Sequence, residues 1–254
     1  MARTIIAGNW KMNKTTSEAE KFKKEFLALL KNERLTCDVV IAPSYTSIAS
    51  LKGNGVFAVG AQNISAEVSG PYTGEISAEM LKDLNVEYVL VGHSERRALY
   101  GETDEMVNRK IKRVLDSGMT PILCIGEDMK ERKAERAIEK VEFQLTAGFA
   151  GLTSTRAKKV VIAYEPIWAI SPGVDIGITA TPEQAEEICF AIRKKMSKLY
   201  DSTVADEIPI LYGGSMTSKN VEELLKMPNI NGGLVGGASL KPDEFSKIVI
   251  AGNR

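Results

Sequence analysis

The sequence predicts an α/β fold in the form of a closed (β/α)8 barrel, with residues 1–254 as a single domain. Short apolar runs alternate with longer amphipathic segments from one end of the chain to the other. Most of these runs are rich in Val, Ile and Leu without polar alternation, which is typical of parallel strands covered on both faces. No linker rich in Pro, Gly or Ser divides the chain, and α/β barrels of this length commonly form one domain.

The strand candidates are the short apolar runs. Each is followed by a segment suited to a helix, and such alternation implies parallel strands joined by helical crossovers. Eight such units match the scale of a closed barrel. An open doubly wound sheet is the alternative, but it requires a glycine fingerprint after the first strand, where this chain has Asn9-Trp10-Lys11. The candidate strands lie at 4–8, 39–42, 57–61, 88–91, 121–125, 160–164, 209–212 and 234–236.

Helix candidates fill the intervals between the strands. The first has an apolar stripe that includes Phe22 and Phe26, with charged residues on the opposite face, as in a helix that packs on a core. Ser17, Thr103 and Thr181 are predicted N-caps, because their hydroxyl groups can accept from free amides of the first turn. The candidates are 17–31, 103–117, 130–146, 182–198, 218–226 and 241–249, with shorter ones near 45–51 and 77–84.

Charge and cysteine content exclude several classes of function. Lysine plus arginine equal aspartate plus glutamate at 33 each, so no basic excess is present to hold nucleic acid or an anionic membrane. Cys37, Cys124 and Cys189 are widely spaced and form no CxxC pair, which favours a reducing compartment over disulfides or zinc. No run resembles a signal-peptide core or approaches the roughly 20 apolar residues of a membrane helix. We therefore expect a cytoplasmic protein without nucleic-acid or membrane partners.

Polar residues gather at the carboxyl ends of the predicted strands. In a barrel this rim carries the working residues. Each of these residues has a structural alternative that must be weighed against a functional one. In chain order the rim residues are Asn9, Lys11, Gln62, Asn63, His93, Ser94, Glu95, Glu127 and Glu165, followed by glycine-rich segments after the last two strands.

His93 is the only histidine in the chain. A lone histidine is often a hydrogen-bonded core residue, but this one follows an apolar run and precedes a predicted helix start at Ser94. A helix N-terminus lowers the pKa of an imidazole, so we expect a neutral hydrogen-bond donor. One histidine without a nearby cysteine or carboxylate cluster makes no recognisable metal site, and no metal is expected.

Lys11 and Glu165 are the two charged rim residues with the clearest functional interpretation. Lys11 could be a surface lysine that covers apolar neighbours, or it could attract an anionic substrate. Glu165 could cap a helix or form a salt bridge, but it ends a strand beside a loop with Gly and Pro. That position also suits a general base beneath a mobile lid.

The glycine-rich segments 212–215 and 234–239 indicate a phosphate site. They read Tyr-Gly-Gly-Ser and Leu-Val-Gly-Gly-Ala-Ser, and each precedes a predicted helix. Backbone N–H groups at such positions hold phosphate oxygens well, and barrels often bind phosphate there. Tight turns would explain one motif equally well, but two neighbouring motifs less well. No GxxxxGK[ST] motif indicates a nucleotide P-loop.

Five segments together resemble a known family, in the right order and spacing and over essentially the whole chain. The family is triosephosphate isomerase. The resemblance implies the TIM barrel fold, a homodimer, no cofactor, and interconversion of dihydroxyacetone phosphate and D-glyceraldehyde 3-phosphate through an enediolate, in glycolysis and gluconeogenesis. The segments are 8–13 (Gly-Asn-Trp-Lys-Met-Asn), 91–97 (Val-Gly-His-Ser-Glu-Arg-Arg), 163–168 (Ala-Tyr-Glu-Pro-Ile-Trp), 212–215 and 234–240.

The resemblance also implies catalytic roles. Glu165 would remove a proton from the carbon next to the carbonyl and return it to the neighbouring carbon. His93 would be the neutral electrophile that polarises the carbonyl and moves protons between the oxygens. Lys11 would offset the negative charge of the substrate, with Asn9 as a further donor, and Glu95 would orient Lys11 or take part in proton transfer.

A second set of residues would hold the substrate, again by resemblance. The backbone amides of Ser215, Gly236 and Gly237 would bind the phosphate. Ile170 and Leu234 match the apolar pair that excludes water from the base when the lid closes. Excluding water raises the basicity of a carboxylate by desolvation.

The lid after Ile170 departs from the family pattern. The stretch from Ser171 to Ile178 makes it longer than the usual Ala-Ile-Gly-Thr-Gly-Lys-Thr-Ala-Thr-Pro. The glycine whose N–H reaches the phosphate is replaced by Ser171, or by Asp175 where the gap is placed earlier. A serine amide could still donate, whereas Asp175 would repel a dianion. We expect looser closure and therefore more loss of phosphate from the enediolate, with release of methylglyoxal.

The resemblance also predicts the partner surface. The segment from Ile64 to Glu75 should project toward a second copy of the chain. Thr73 would then reach toward Asn9 and Glu95 of the partner subunit. The expected partners are therefore a small phosphorylated substrate and an identical subunit.

A smaller departure concerns one ion pair. An arginine in the sixth helix, Arg193 here, pairs in the family with an aspartate just before strand eight. This chain offers Asn229 at that place. The expectation is an arginine that lacks its usual carboxylate.

Two other functions stay open from the sequence. A barrel relative could isomerise another small phosphosugar, with the longer lid reshaping its pocket. A non-catalytic phosphate-binding or interaction protein could also keep the barrel. The intact set of Glu165, His93 and Lys11 favours the triose phosphate isomerase.

Overall fold

The strands of the computed structural model, which describes residues 2–170 and 179–253, close into one parallel barrel in sequence order. The first strand pairs with the last as well as with the second, so the sheet has no open edge. The predicted closed barrel is confirmed and the open sheet is excluded. The strands are β1 (Ile5–Asn9), β2 (Asp38–Ala42), β3 (Ala58–Ala61), β4 (Tyr88–Val91), β5 (Thr120–Ile125), β6 (Val161–Tyr164), β7 (Ile210–Tyr212) and β8 (Gly232–Val235).

Helices follow the strands and cover the outside of the barrel. Single 3-10 turns at Tyr45–Ser47, Ile167–Ala169 and Gly237–Leu240 add to them. None of the helices in the two described stretches is long and apolar enough to cross a membrane. The helices are α1 (Thr16–Leu29), α2 (Ile48–Leu51), α3 (Ala78–Asp83), α4 (Ser94–Tyr100), α5 (Asp104–Asp116), α6 (Met129–Lys133), α7 (Ala137–Gly148), α8 (Ser154–Ala157), α9 (Pro182–Leu199), α10 (Ser202–Glu207), α11 (Val221–Leu225) and α12 (Pro242–Ala251).

Helix starts agree with the predicted caps at two of three places. Thr103 and Thr181 cap α5 and α9 by accepting hydrogen bonds from backbone amides of the first turn. Ser17 was the wrong choice for α1, which Thr15 caps instead. Glu18 lies three residues after Thr15 and accepts from the Thr15 amide at 2.7 Å, so a reciprocal capping box fixes the earlier start.

The predicted helix at 130–146 is in fact two helices. Glu135, between α6 and α7, has a positive φ of 57°, a left-handed conformation that a continuous α-helix excludes. The short α8 and α10 were not predicted, because segments of their length carry too few positions for an apolar stripe to appear. Helix α11 is shorter than the predicted 218–226.

The core has two layers, one on each face of the closed sheet. Ile5 and Ala7 of β1 belong to a cluster with Leu90, Ile122 and other residues inside the barrel. Ile6 belongs to the larger cluster between strands and helices. Successive strand residues point to opposite faces, so both faces of every strand are packed. Strands held in this way give fixed anchors for the residues that follow them.

Candidate active site

A cavity of about 200 Å³ opens at the carboxyl ends of the strands. Nine of the predicted site residues line it: Asn9, Lys11, His93, Glu165, Ile170, Ser215, Leu234, Gly236 and Gly237. Met216, Thr217 and Ala238 also line the cavity and were not predicted, although each lies within or directly after a glycine motif. Ser171 and the rest of the stretch to Ile178 lie outside the described residues.

His93 and Glu165 meet at the centre of the site. Glu165 follows β6 and is 2% exposed, and His93 follows β4 and is 6% exposed. The His93 Nε2 atom lies 3.0 Å from Glu165 Oε1. The Ser94 amide at the start of α4 donates to Glu165 Oε2 at 3.0 Å. The two residues are thus held by each other and by a helix N-terminus.

The ligand-free pair has pKa values that differ from the sequence expectation. Burial lowers the pKa of His93, but the charge and hydrogen bond of Glu165 more than offset it, and the pKa is raised. Burial likewise raises the pKa of Glu165, but His93 and the Ser94 amide outweigh it, and the pKa is lowered. The predicted low pKa of His93 is therefore wrong for this state, because the carboxylate lies closer than the sequence could show.

The hydrogen bonds of His93 nevertheless fit a neutral ring. Nδ1 accepts from the Glu95 amide at 3.3 Å, so this nitrogen carries a lone pair and, in the neutral form, Nε2 carries the hydrogen. That N–H points at Glu165 Oε1.

Lys11 is held in a strained conformation. Its φ is 52°, which for a residue other than glycine costs about 1–3 kcal/mol. The Lys11 amide donates to Asn9 Oδ1 at 3.0 Å, and Gln62 Nε2 donates to the Lys11 carbonyl at 2.8 Å. The Lys11 ammonium reaches Glu95 Oε1 at 2.7 Å. Glu95 itself does not line the cavity but contacts two residues that do, Lys11 and His93.

The glycine-rich turns form the other side of the cavity. A Cβ at Gly213 would lie 2.9 Å from Glu165 Cγ, and a Cβ at Gly214 would overlap the Tyr212 hydroxyl. Gly237 begins a 3-10 turn, and a Cβ there would have no atom within 4 Å. Glycine is therefore required for packing after β7. After β8, Gly236 and Gly237 leave open space beside the main chain.

Helix α4 carries ion pairs that support the site from below. Arg96 and the buried Lys110 both reach Glu102 Oε1 at 2.5 Å. Lys110 also donates to Asn63 Oδ1 at 2.8 Å. Burial raises the pKa of Glu102, but these two cations outweigh it and lower the pKa. Asn63, predicted on the rim, thus supports the site without lining the cavity.

Glu127 was predicted on the rim but lies outside the cavity, fully buried. Its Oε1 accepts from Trp168 Nε1 at 2.7 Å and from the Tyr164 hydroxyl at 3.0 Å. Arg132 lies over the Trp168 ring at 5.3 Å. Burial raises the pKa of Glu127 despite these donors. Glu127 therefore anchors the segment that leads to Ile170.

Two further expectations can be compared with the structure. Within residues 2–170 and 179–253, no group of His, Cys, Asp and Glu could hold a metal ion. Arg193 contacts Asn231 Oδ1 at 2.7 Å, and Asn229 instead pairs with Glu186 at 2.6 Å. The prediction that Asn229 lies opposite Arg193 is wrong, because Asn231, the residue directly before β8, occupies that place.

Comparison with known proteins agrees with this geometry. The profile of the family described as Triosephosphate isomerase matches residues 4–252. A curated triosephosphate isomerase of Carboxydothermus hydrogenoformans is 46% identical, over 98% of each chain. That of Acetivibrio thermocellus is 47% identical over 98% of each chain, and that of Fusobacterium nucleatum is 43% identical over 100% of each chain.

Proposed function

The chain belongs to the triosephosphate isomerase family, and we propose that its cavity carries the reaction through Glu165, His93, Lys11 and Asn9. The activity is the intramolecular aldose–ketose isomerisation of dihydroxyacetone phosphate and D-glyceraldehyde 3-phosphate, a step of glycolysis. The observation that best supports these residue roles is the 3.0 Å contact between a buried carboxylate and a buried imidazole at the edge of an anion-binding cavity.

Glu165 is the proposed general base. Its carboxylate takes a proton from the carbon next to the substrate carbonyl, and the electron pair of that C–H bond forms the enediolate double bond. His93 donates its Nε2–H to the carbonyl oxygen, where negative charge develops. Glu165 then returns its proton to the neighbouring carbon, while His93 Nε2 recovers a proton from the hydroxyl of the first carbon, whose C–O bond becomes the new carbonyl. The atoms balance within one substrate molecule, so no redox cofactor is required.

The phosphate is proposed to bind at the glycine-rich turns. Ser215, Gly236 and Gly237 line the cavity, and their backbone amides are the proposed donors, because such amides hold phosphate oxygens without a compensating side chain. Lys11 supplies positive charge on the side nearer His93. With the phosphate held there, Ile170 and Leu234 lie where they can exclude water from Glu165.

A coupled assay tests the proposal in both directions. Turnover of both triose phosphates in the presence of a chelator is expected, because no metal takes part. Four- and five-carbon sugar phosphates should be poor substrates, since the cavity is about 200 Å³. Absence of turnover in folded protein would contradict the proposed roles.

We also propose a homodimer formed through the segment from Ile64 to Glu75. The Ser65 amide bonds the Ile76 carbonyl at 2.9 Å, closing the base of a projection whose Val68 and Tyr72 are 59% and 45% exposed. Apolar side chains exposed in this way mark association surfaces. Thr73 at the tip is proposed to reach Asn9 and Glu95 of the partner subunit.

Sedimentation of wild-type protein and of Thr73→Arg tests the dimer. The wild type should sediment as a dimer. Thr73→Arg should shift the protein toward monomer and lower its activity, because the substitution places a long charged side chain in a tightly packed interface. A monomeric wild type with full activity would overturn the proposal. The cytoplasmic location follows from the reducing compartment that the free cysteines favour, and it too is a proposal.

A further inference from the structure

Arg97 of α4 makes three contacts that tie the turn carrying His93 to its surroundings. Its Nε donates to the Gly92 carbonyl at 2.7 Å. Its Nη1 pairs with Asp104 at 2.6 Å, and its Nη2 donates to the Cys124 carbonyl at 3.4 Å. Only 15% of the side chain is exposed. The guanidinium thus joins the residue before His93 to the neighbouring strand β5.

Strand β5 also holds Glu165. The Glu165 amide donates to the Ile125 carbonyl at 2.7 Å, directly after the Cys124 carbonyl that Arg97 contacts. Consecutive strand residues face opposite neighbours in a sheet, so Cys124 faces β4 and Ile125 faces β6. The backbones that carry His93 and Glu165 are therefore both fixed to β5, one through Arg97 and the other directly.

The sequence before His93 makes room for this contact. Gly92 has a positive φ of 72°, a conformation that glycine adopts without cost. A Cβ at Gly92 would lie 2.8 Å from Arg97 Nη2 and 2.8 Å from Val107 Cγ2. The chain can therefore turn away from β4 while the guanidinium closes over the turn.

We propose that Arg97 is a positioning residue that sets the placement of His93 relative to Glu165 through β5. The proposal rests on the proposed function of that pair. Arg97 does not line the cavity, so it acts on the reaction only through the turn of His93. Asp104 accepts from Nη1 and so holds the planar guanidinium in the orientation in which Nε and Nη2 reach the two carbonyl oxygens.

Arg97→Lys is the decisive variant. Lysine keeps a positive charge beside Asp104 but has no fork with which to reach the carbonyls of Gly92 and Cys124 together. We expect kcat to fall about 10- to 100-fold with KM little changed, because misplacing a catalytic group by about 1 Å costs on the order of 10² in rate. A kcat within twofold of wild type would overturn the proposal.

The matched control is Arg156→Lys. Arg156 also pairs with an aspartate, Asp116, at 2.8 Å and donates to a backbone carbonyl. It lies on α8, directly before β6 and so at the amino ends of the strands, far from the cavity. We expect it to lose stability comparable to that lost by Arg97→Lys while kcat stays unchanged.

Two ligands separate positioning from general damage. Inorganic phosphate needs only the glycine-rich turns, whereas a phosphorylated hydroxamate that mimics the enediolate also needs His93. In Arg97→Lys the hydroxamate should bind about 10- to 100-fold more weakly and inorganic phosphate as before. Equal weakening of both ligands would overturn the proposal. If Arg97→Lys does not fold, Asp104→Asn keeps Arg97, and the same ligand measurements apply with the same opposing outcomes.

The single histidine provides a readout that does not depend on turnover. Protein labelled with 15N-histidine gives ring signals from His93 alone. The wild type should show a lone pair at Nδ1 and a hydrogen at Nε2, and Arg97→Lys should show that tautomer lost or averaged. An unchanged spectrum would count against the positioning role. If wild-type turnover were absent while the spectrum still changed, only the proposed function would fail.

Discussion

The two sides of the cavity are built in different ways. The proton-transfer side consists of His93 and Glu165, buried ionisable side chains that contact each other at 3.0 Å. The proposed phosphate side consists of glycine-rich turns after β7 and β8, whose main chain lines the cavity. The first side depends on the placement of side-chain atoms, and the second depends on the path of the main chain.

The charged contacts around the two regions also differ. Beneath the proton-transfer side are the ion pairs of Glu102 with Arg96 and Lys110, and of Arg97 with Asp104. At the amino ends of β7 and β8, Arg193 forms no salt bridge within the described part of the chain and donates to neutral oxygens.

The largest expected effect comes from removing the proposed base. Glu165→Gln keeps the size of the side chain but cannot take a proton, so kcat should fall by about 10²–10⁴. Binding of inorganic phosphate should not change, because no backbone amide is altered. Steady-state kinetics and phosphate titration measure both. Weaker phosphate binding in this variant would show that the two sides are not independent.

Removing the carboxylate beneath α4 should cost stability. In Glu102→Gln the Lys110 ammonium loses its counterion in a buried position, which costs about 3–5 kcal/mol. Urea unfolding at fixed protein concentration measures the loss. The exposed pair of Arg136 and Glu139 supplies the control, since Glu139→Gln should change stability by about 0–1 kcal/mol. Equal losses of stability in the two variants would contradict the idea that the buried ion pairs of Glu102 stabilise this side of the cavity.

The phosphate side can be tested at one glycine. Gly237→Ala keeps the N–H and adds a Cβ into open space, so KM should stay near the wild-type value. Gly237→Pro removes the donor at the first position of a 3-10 turn, where proline is tolerated. Loss of one hydrogen bond to a charged group, about 1.5–3 kcal/mol, should raise KM roughly 10- to 100-fold. Similar KM values for both variants would mean that this amide does not bind phosphate.

The proton-transfer side should make stability depend on pH. The lowered pKa of Glu165 gives stability that is present above about pH 4.5 and lost as pH falls through the folded pKa. The raised pKa of His93 gives stability that is present below about pH 6.5 and lost as pH rises through the folded pKa. The excess stability of wild type over His93→Asn should therefore be larger at pH 5.5 than at pH 8.5, as urea unfolding can measure. An excess that grows with pH would contradict this assignment.

The smallest effect is a gain in stability at the amino ends of β7 and β8, opposite the cavity. Asn231→Asp would give Arg193 a carboxylate at 2.7 Å, while its oxygen still accepts from the Ile210 amide. We expect a gain of about 1 kcal/mol, or roughly 2–4 °C in Tm. Asn229→Asp is the control and should destabilise, because Asn229 now donates to Glu186. A gain in the control would point to a general charge effect.

Most of the architecture could be predicted from the sequence, because both faces of each strand are apolar. The break at Glu135 could not be predicted, since its left-handed φ depends on how two helices pack. The sequence predicts Ser17 as the N-cap of α1, whereas Thr15 is the cap in the structure. The reciprocal contact with Glu18 decides between them.

The sequence predicted which residues form the site, but not the contacts between them or the direction of their pKa shifts. The place of His93 and Glu165 at strand ends was readable, whereas their direct contact, which reverses the expected shift in the pKa of His93, depends on side-chain positions. The roles of Gln62 and Arg97 were not readable either, because each acts on the backbone of another residue. Longer-range support of this kind leaves no local pattern in a sequence.

The closure of the barrel between β1 and β8 has a consequence for biosynthesis. Trp10 donates to the Ser239 carbonyl across 229 residues of sequence, and β1 finds its second neighbour only in β8. At about 5–20 residues per second, roughly 10–45 s pass between synthesis of the two strands. During that time β1 is an edge strand with exposed apolar residues, the state in which nascent chains associate wrongly. The ring that protects the finished protein can therefore close only after β8, near the end of the chain, has been synthesised.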